Sequence, residues 1–215
     1  MKHIFSQRGV VIGLTSLALA PTGLAGGSAE NALLLIDPTN PDSLYVGNYY
    51  RAARNIPDQN VFYMIPGSAN FQQFAAVNAR AIRGSLDNQK IDDHVDYVIV
   101  AAPSTFFVAA PGLITDGCSP VSRFSISGAY TMSFVADEVA AGGLPVTNPN
   151  RYYSSTTTPT AFDSSLNWLG GSAGSGASTR RYYIGAALGY TGLRGNSLAE
   201  IFTMIDRSVA ADGSR

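Results

Sequence analysis

Cysteine is almost absent from this chain: among 215 residues Cys118 is the single thiol. An intramolecular disulfide is therefore excluded, and the fold must be held by its core even in an oxidising compartment. Charge is scarce too, with 13% of residues ionic and a formal net charge of −1, so nothing steers the chain to nucleic acid. Only His3 and His94 supply imidazole, and no cluster of His, Cys and carboxylates has zinc spacing. Gly189, Gly192 and Gly195 fall in one turn, but not at dinucleotide-fingerprint spacing, and no Lys-Ser or Lys-Thr follows them. No cofactor is expected. Glycine, serine and threonine are plentiful instead, which suits an extracellular surface wetted by hydroxyls and amides.

Long apolar runs are missing as well. Gly9 to Ala20 falls far short of the roughly 20 residues a membrane-spanning helix needs. Preceded by Lys2 and Arg8 and closed by Pro21, it reads as the core of a cleavable secretory signal, with Gly23 and Ala25 at the small-residue positions of a cut after Ala25. A cut after Ala29 is the alternative. No cysteine near the cut offers a lipid acceptor. The mature chain, residues 26–215, is expected to be periplasmic, cell-surface or extracellular and to lack a transmembrane span. Losing Lys2 and Arg8 while keeping all 15 acidic residues takes its charge to −3. About 190 residues suffice for one domain.

Ala32 to Ile36 is a continuous apolar run, the pattern of a strand buried on both faces. A turn follows, with Asn40 placed to cap a helix and Pro41 in its first turn. That helix is expected to run to about Asn55, with Tyr45, Tyr49, Ala52, Ala53 and Ile56 toward the core and Arg51 and Arg54 toward solvent or a helix-end contact. Asn60 to Ile65 reads as a second strand and Phe71 to Leu86 as a second helix with Phe74, Val77, Ala81 and Ile82 on one face. His94 to Ala102 supplies a third strand. Pro103 to Phe124 reads as a long loop, Ser127 to Ala141 as a helix, and Asn148 to Arg180 as a polar surface insertion. Arg181 to Leu188 is a further strand, Gly189 to Gly195 a turn, and Asn196 the cap of a helix through Val209. Alternating strands and helices predict an α/β fold, an open, mostly parallel sheet with helices on both faces in a Rossmann-like or caspase-like three-layer sandwich. No strand follows the last helix, so a C-terminally truncated domain is expected.

In such sheets ligands bind beyond the carboxyl ends of the strands. Three segments meet that rule: Asp37 to Ser43, Pro103 to Phe107, and Gly189 to Asn196. The candidate ligand-binding residues are Asp37, Asn40, Ser43, Ser104 and Thr105. Asp37 also suits a general base or, with Asp116, a divalent-cation site, although its ordinary role is to accept hydrogen bonds within the turn. Cys118 and Ser104 are the candidate nucleophiles. The one histidine of the mature chain, His94, opens the third strand and so lies at the opposite edge of the sheet. Ser125-Ile126-Ser127-Gly128 lacks the leading glycine of a nucleophile elbow. Of the tyrosine pairs, Tyr49-Tyr50 and Tyr182-Tyr183 suit the core, and Tyr152-Tyr153, in the polar insertion, suits recognition.

Asn31 to Ile65, with Asp42-Ser43, Tyr49-Tyr50, Arg54-Asn55-Ile56-Pro57 and Asn60-Val61, resembles an uncharacterised family of exported bacterial proteins, some carrying a C-terminal PEP-CTERM sorting signal. The resemblance continues in patches through Asp96 to Pro103, Ser125 to Val139, and Tyr182 to Val209. It implies export and an α/β fold, but no activity. Two departures stand out: Ser125-Ile126-Ser127-Gly128 replaces a Ser-Val-Asp-Ser-like element, and Ala187-Leu188-Gly189-Tyr190 replaces Arg-Leu-Asp-Gly. No sorting signal is visible. The strand order is also similar to that of caspase-like and gingipain-like peptidases, which place His-Gly after the third strand, where this chain reads Ala102-Pro103-Ser104. Two functions are therefore carried forward: an exported binding protein in contact with an envelope or extracellular polymer, and a hydrolase with a degenerate or incomplete active site.

Overall fold

The computed structural model describes residues 28–113, 122–142, 161–169 and 172–211. The proposed signal, Asp116, Cys118 and Tyr152-Tyr153 lie outside these residues. β1 (Ala32–Ile36) is buried at all five positions, as its unbroken apolar sequence requires. It pairs in parallel with β2 (Val61–Tyr63) on one side and β3 (Tyr97–Ala101) on the other, and β3 pairs in parallel with β8 (Ile184–Leu188). The resulting order is β2-β1-β3-β8. The protein is thus an α/β fold with a parallel sheet.

Side-chain alternation along the strands divides the core in two. Leu34, Ile36, Ile99, Ala101 and Leu188 face α1 (Pro41–Arg54) and α6 (Leu198–Ala210), packing on Val46, Ile201 and Ile205. Leu33, Leu35, Val98 and Val100 face the helices of the other layer. There α2 (Phe71–Phe74) and α3 (Arg80–Gln89) are joined by a π-helical stretch, Ala75–Ala79, so the predicted single helix contains a wide turn. That turn brings Asn78 inward, where its amide donates to the Ile65 carbonyl at 2.8 Å while Ser68 donates to its oxygen. The predicted helix 127–141 is also interrupted: α4 (Ile126–Thr131) and α5 (Ala136–Ala140) flank a short 3-10 turn.

Several inward faces differ from the sequence reading. Tyr45 is 63% exposed and Tyr49 39% exposed, whereas Ser43, Val46 and Gly47 are the buried positions of α1. The two tyrosines instead rest their rings on Phe202 of α6, and Tyr49 donates to Asp206. Tyrosine supplies apolar area with a polar tip, so a half-exposed seam between two helices accepts it without burying its hydroxyl. Val77 and Ala81 are exposed for a related reason, since the π-helical turn changes the face that follows it. The long loop contains a hairpin, β4 (Phe107–Ala109) with β5 (Arg123–Ser125). Residue Asn196 does not cap α6. Ser197 does, in a reciprocal capping box with Glu200, while the Asn196 side chain accepts from the Tyr190 N–H at 3.2 Å and closes the preceding turn.

The described part of the polar insertion is held at the amino edge of the sheet. It contains the two-residue strands β6 (Trp168–Leu169) and β7 (Ser172–Ala173). Ser164 donates its N–H to Asp96 at 2.7 Å and its hydroxyl to the Val95 carbonyl. Arg181 donates to the Ser164 carbonyl at 2.7 Å, pairs with Asp92 at 3.0 Å, and lies over the Phe134 ring.

This edge makes stability depend on pH. Burial raises the Asp96 carboxyl above its ordinary value, and nearby Asp163 adds to the rise, against the lowering by the Ser164 N–H. The folded protein thus holds this proton to higher pH than the unfolded chain does. The contribution of Asp96 is full below the ordinary carboxylate range and is lost as pH rises through its elevated folded value. Asp96→Asn, which keeps an acceptor for Ser164, should remove this component. Urea melts of both proteins across the acid range should show the wild type losing stability relative to the variant as pH rises.

Candidate functional site

The chain leaves β1 for β2 on one side and then crosses back to β3 on the other, so the sheet has its topological switch between β1 and β3. In parallel α/β sheets the carboxyl side of that switch is the crevice where ligands bind. Asp37 follows β1 there, Ala102-Pro103-Ser104 follow β3, and Gly189-Tyr190 follow β8. The three segments singled out from the sequence therefore converge in space.

Their contacts can be followed atom by atom. Ser43 accepts from the Asp37 N–H at 2.9 Å and donates its hydroxyl to the Ala101 carbonyl at 2.6 Å, tying the first turn of α1 to the end of β3. Asn40 caps α1 by accepting from the Asp42 N–H at 3.0 Å, and its amide reaches the Ala102 carbonyl at 3.5 Å. One carboxylate oxygen of buried Asp37 accepts both from the Thr39 N–H at 2.8 Å and from the Thr39 hydroxyl at 2.7 Å. Asp37, Asn40 and Ser43 are thus the internal bracing of the loops at the ends of β1 and β3.

The second loop joins the third. Thr191 donates its N–H to the Pro103 carbonyl at 3.3 Å and its hydroxyl to the Ala102 carbonyl at 3.4 Å. The Phe106 ring meets Tyr190 edge-on, with centroids 5.2 Å apart. Gly192 permits this approach: a Cβ there would lie 2.0 Å from the Tyr190 hydroxyl and 2.6 Å from the Ser104 carbonyl. Ser104, Thr105 and Phe106 are exposed at the rim. Neither rim hydroxyl bonds to another described residue.

Ala102 turns the chain out of β3 with φ of 36° although it is fully buried and is not glycine. An L-residue in the left-handed region costs about 1–2 kcal/mol. The cost is sustained by the bonds from Asn40 and Thr191 to its carbonyl, and strain of this kind gathers at ligand-binding loops. Ala102→Gly should be neutral or stabilising by about 0.5 kcal/mol, relief of strain outweighing the extra freedom of the unfolded chain. Ala102→Val, β-branched on the same backbone, should cost more than about 1 kcal/mol. Chemical denaturation of the two variants separates these signs.

His94 is exposed at the amino end of β3, with its carbonyl accepting from Asn31 at 2.7 Å. The whole strand, rising about 3.3 Å per residue, separates it from Ser104. No general base therefore reaches the Ser104 hydroxyl from that imidazole. Among the described residues no group of three or more His, Cys, Asp or Glu is arranged to hold a metal ion, and no helix is long and apolar enough to cross a membrane. The Phe106–Tyr190 contact escaped the sequence reading. Its signal was present as an aromatic beside each of two glycine- or proline-marked turns, but the pairing needs the strand order.

The fold is α/β, and at its switch point the strand-end loops are joined by hydrogen bonds and present Ser104, Thr105 and Phe106 outward. Comparison with protein-family models, curated proteins and solved structures gives no match.

Proposed function

We propose that this protein is exported and acts outside the cytoplasm by binding, with the carboxyl-end crevice of its sheet as the recognition surface. The observation that carries this reading is the use of the crevice's polar groups. Asp37, Asn40 and Ser43 serve to brace the loops, while Ser104, Thr105 and Phe106 are presented outward and, among the described residues, the one imidazole, His94, lies at the other end of β3. Export rests on the signal-like sequence of Met1 to Ala25 and on the resemblance to exported bacterial proteins.

Two measurements test it. In fractionated cells the full-length protein should be recovered outside the cytoplasm and a chain starting at Gly26 should remain inside; equal distribution of the two would overturn export. The purified chain should also leave a panel of peptide substrates intact. Turnover abolished by Cys118→Ala would replace binding with the peptidase reading that the strand order suggests.

A further inference from the structure

We infer that the crevice rim binds a neutral carbohydrate chain, with Phe106 as the stacking ring and Ser104 and Thr105 as hydrogen-bonding partners; this deepens, and rests on, the binding reading above. Phe106 is 51% exposed, although its sequence neighbours Val108 and Ala110 are fully buried. It is not left loose. Edge-on contacts with Phe107 at 5.1 Å and Tyr190 at 5.2 Å fix its ring, and its backbone carbonyl accepts from Ile126 at 2.8 Å. A fixed, half-bare aromatic on the strand-end loop surface offers flat apolar area at low entropic cost.

The surrounding groups select the ligand. Ser104 and Thr105, immediately before the ring, are exposed and present hydroxyls that each donate and accept. Sugars present apolar C–H faces edged by hydroxyls that need both functions. Charge argues in the same direction. Across the three convergent segments the ionic residues are Asp37, Asp42 and Arg194. One oxygen of Asp37 is already committed to Thr39, and a carboxylate beside the α1 N-terminus repels an anion. A phosphate or acidic ligand is disfavoured. An extended peptide docks by adding to a free strand edge, whereas this surface lies beyond the strand ends.

The loops are also set before a ligand arrives. The Thr191 bonds to Ala102 and Pro103, the close approach at Gly192 and the left-handed Ala102 hold the second and third segments together. Preorganisation of this kind saves the ordering cost that otherwise weakens small-ligand binding.

The test uses the chain from residue 26 with soluble neutral hexasaccharides of glucose, xylose and N-acetylglucosamine, followed by calorimetry and by amide protection. Saturable binding is expected for at least one sugar, weakened about tenfold by Phe106→Ala and retained by Phe106→Tyr. The double variant Ser104→Ala, Thr105→Ala should weaken it comparably, and Tyr63→Ala, exposed on edge strand β2, should not. Absence of saturable binding to every sugar, or affinity unchanged by Phe106→Ala, overturns the carbohydrate assignment. A parallel arm exposes the chain to a cell-envelope extract. If the extract protects the amides of residues 104–106 and 190–192 while no sugar does, only the ligand class fails; if neither protects them, the crevice-binding reading fails with it.

Discussion

Gly185→Ala should destabilise the protein by about 3–5 kcal/mol, a large fraction of the roughly 5–15 kcal/mol that holds a typical domain folded. The reason is steric. A Cβ on Gly185 would lie 2.0 Å from the Ser127 carbonyl oxygen, 2.8 Å from its carbon and 2.7 Å from the Thr131 hydroxyl. Two of these atoms belong to helix backbone and cannot rotate aside, so α4 must move away from β8. That movement breaks two bonds, Gly185 N–H to the Thr131 hydroxyl at 3.0 Å and Tyr183 N–H to the Thr131 carbonyl at 3.2 Å. Overpacking costs about 1–3 kcal/mol and each lost hydrogen bond about 1 kcal/mol. Gly84→Ala is the internal control. Nothing lies within 4 Å of its added methyl, and it sits exposed within α3, so helix propensity should stabilise the protein by up to about 1 kcal/mol. Opposite signs in urea melts would tie the Gly185 loss to the α4–β8 contact, and faster exchange of the Tyr183 and Gly185 amides would locate it.

The same contact shows where sequence reading succeeds. β1 and β3 were legible because a strand covered on both faces must be apolar at nearly every position, and Leu33 to Ile36 and Val98 to Ala101 are. Strand–helix alternation then left few arrangements of a parallel sheet. Periodicity failed where burial was decided by closeness rather than hydrophobicity. Ser43 and Gly47 are the inward face of α1 because small side chains let the helix settle on the sheet, and a hydrophobicity count favours Tyr45 and Tyr49 instead. The α6 cap illustrates a different limit. Both Asn196 and Ser197 are good capping residues, and the Ser-x-x-Glu spacing to Glu200 favoured Ser197. What occupies Asn196 is a bond across the turn to Tyr190.

The crevice was legible as three segments but not as a surface. Strand ends could be assigned from pattern alone, yet which side chains brace and which face outward depends on hydrogen bonds between residues some 60 or 90 positions apart, such as Ser43 to Ala101 and Thr191 to Ala102. The short strands β4 and β5 were hidden for the same reason. Three residues carry too little alternation to declare a strand, and their pairing across the intervening segment is set by tertiary contacts.

Trp168→Ala carries the other large expected effect, about 3–5 kcal/mol for emptying a site occupied by the largest side chain. Trp168 is fully buried, stacks on Phe162 at 5.8 Å and donates its indole N–H to the Asp163 carbonyl at 2.7 Å. Its backbone bridges to Arg180 in both directions, and Arg180 pairs with Glu138 at 2.9 Å. The Trp168 backbone therefore ties the polar segment to Arg180, four residues before β8, while the indole packs that segment on itself through Phe162 and Asp163. As the single tryptophan of the chain, it also reports on itself: its fluorescence follows this segment, while far-ultraviolet dichroism follows the helices. Coincident urea transitions for the two signals in the wild type would place the segment within the same cooperative unit as the sheet. An earlier fluorescence transition would make it a separately opening unit, and the global cost of Trp168→Ala would then fall below about 1 kcal/mol. Cooperative unfolding is expected, because Ser164 fastens the segment to Val95 and Asp96, immediately before β3, and Arg181 pairs with Asp92 a few residues earlier. Because these anchors lie at the amino edge, Trp168→Phe, which refills most of the space, should recover much of the stability and leave Phe106 at the opposite end unmoved.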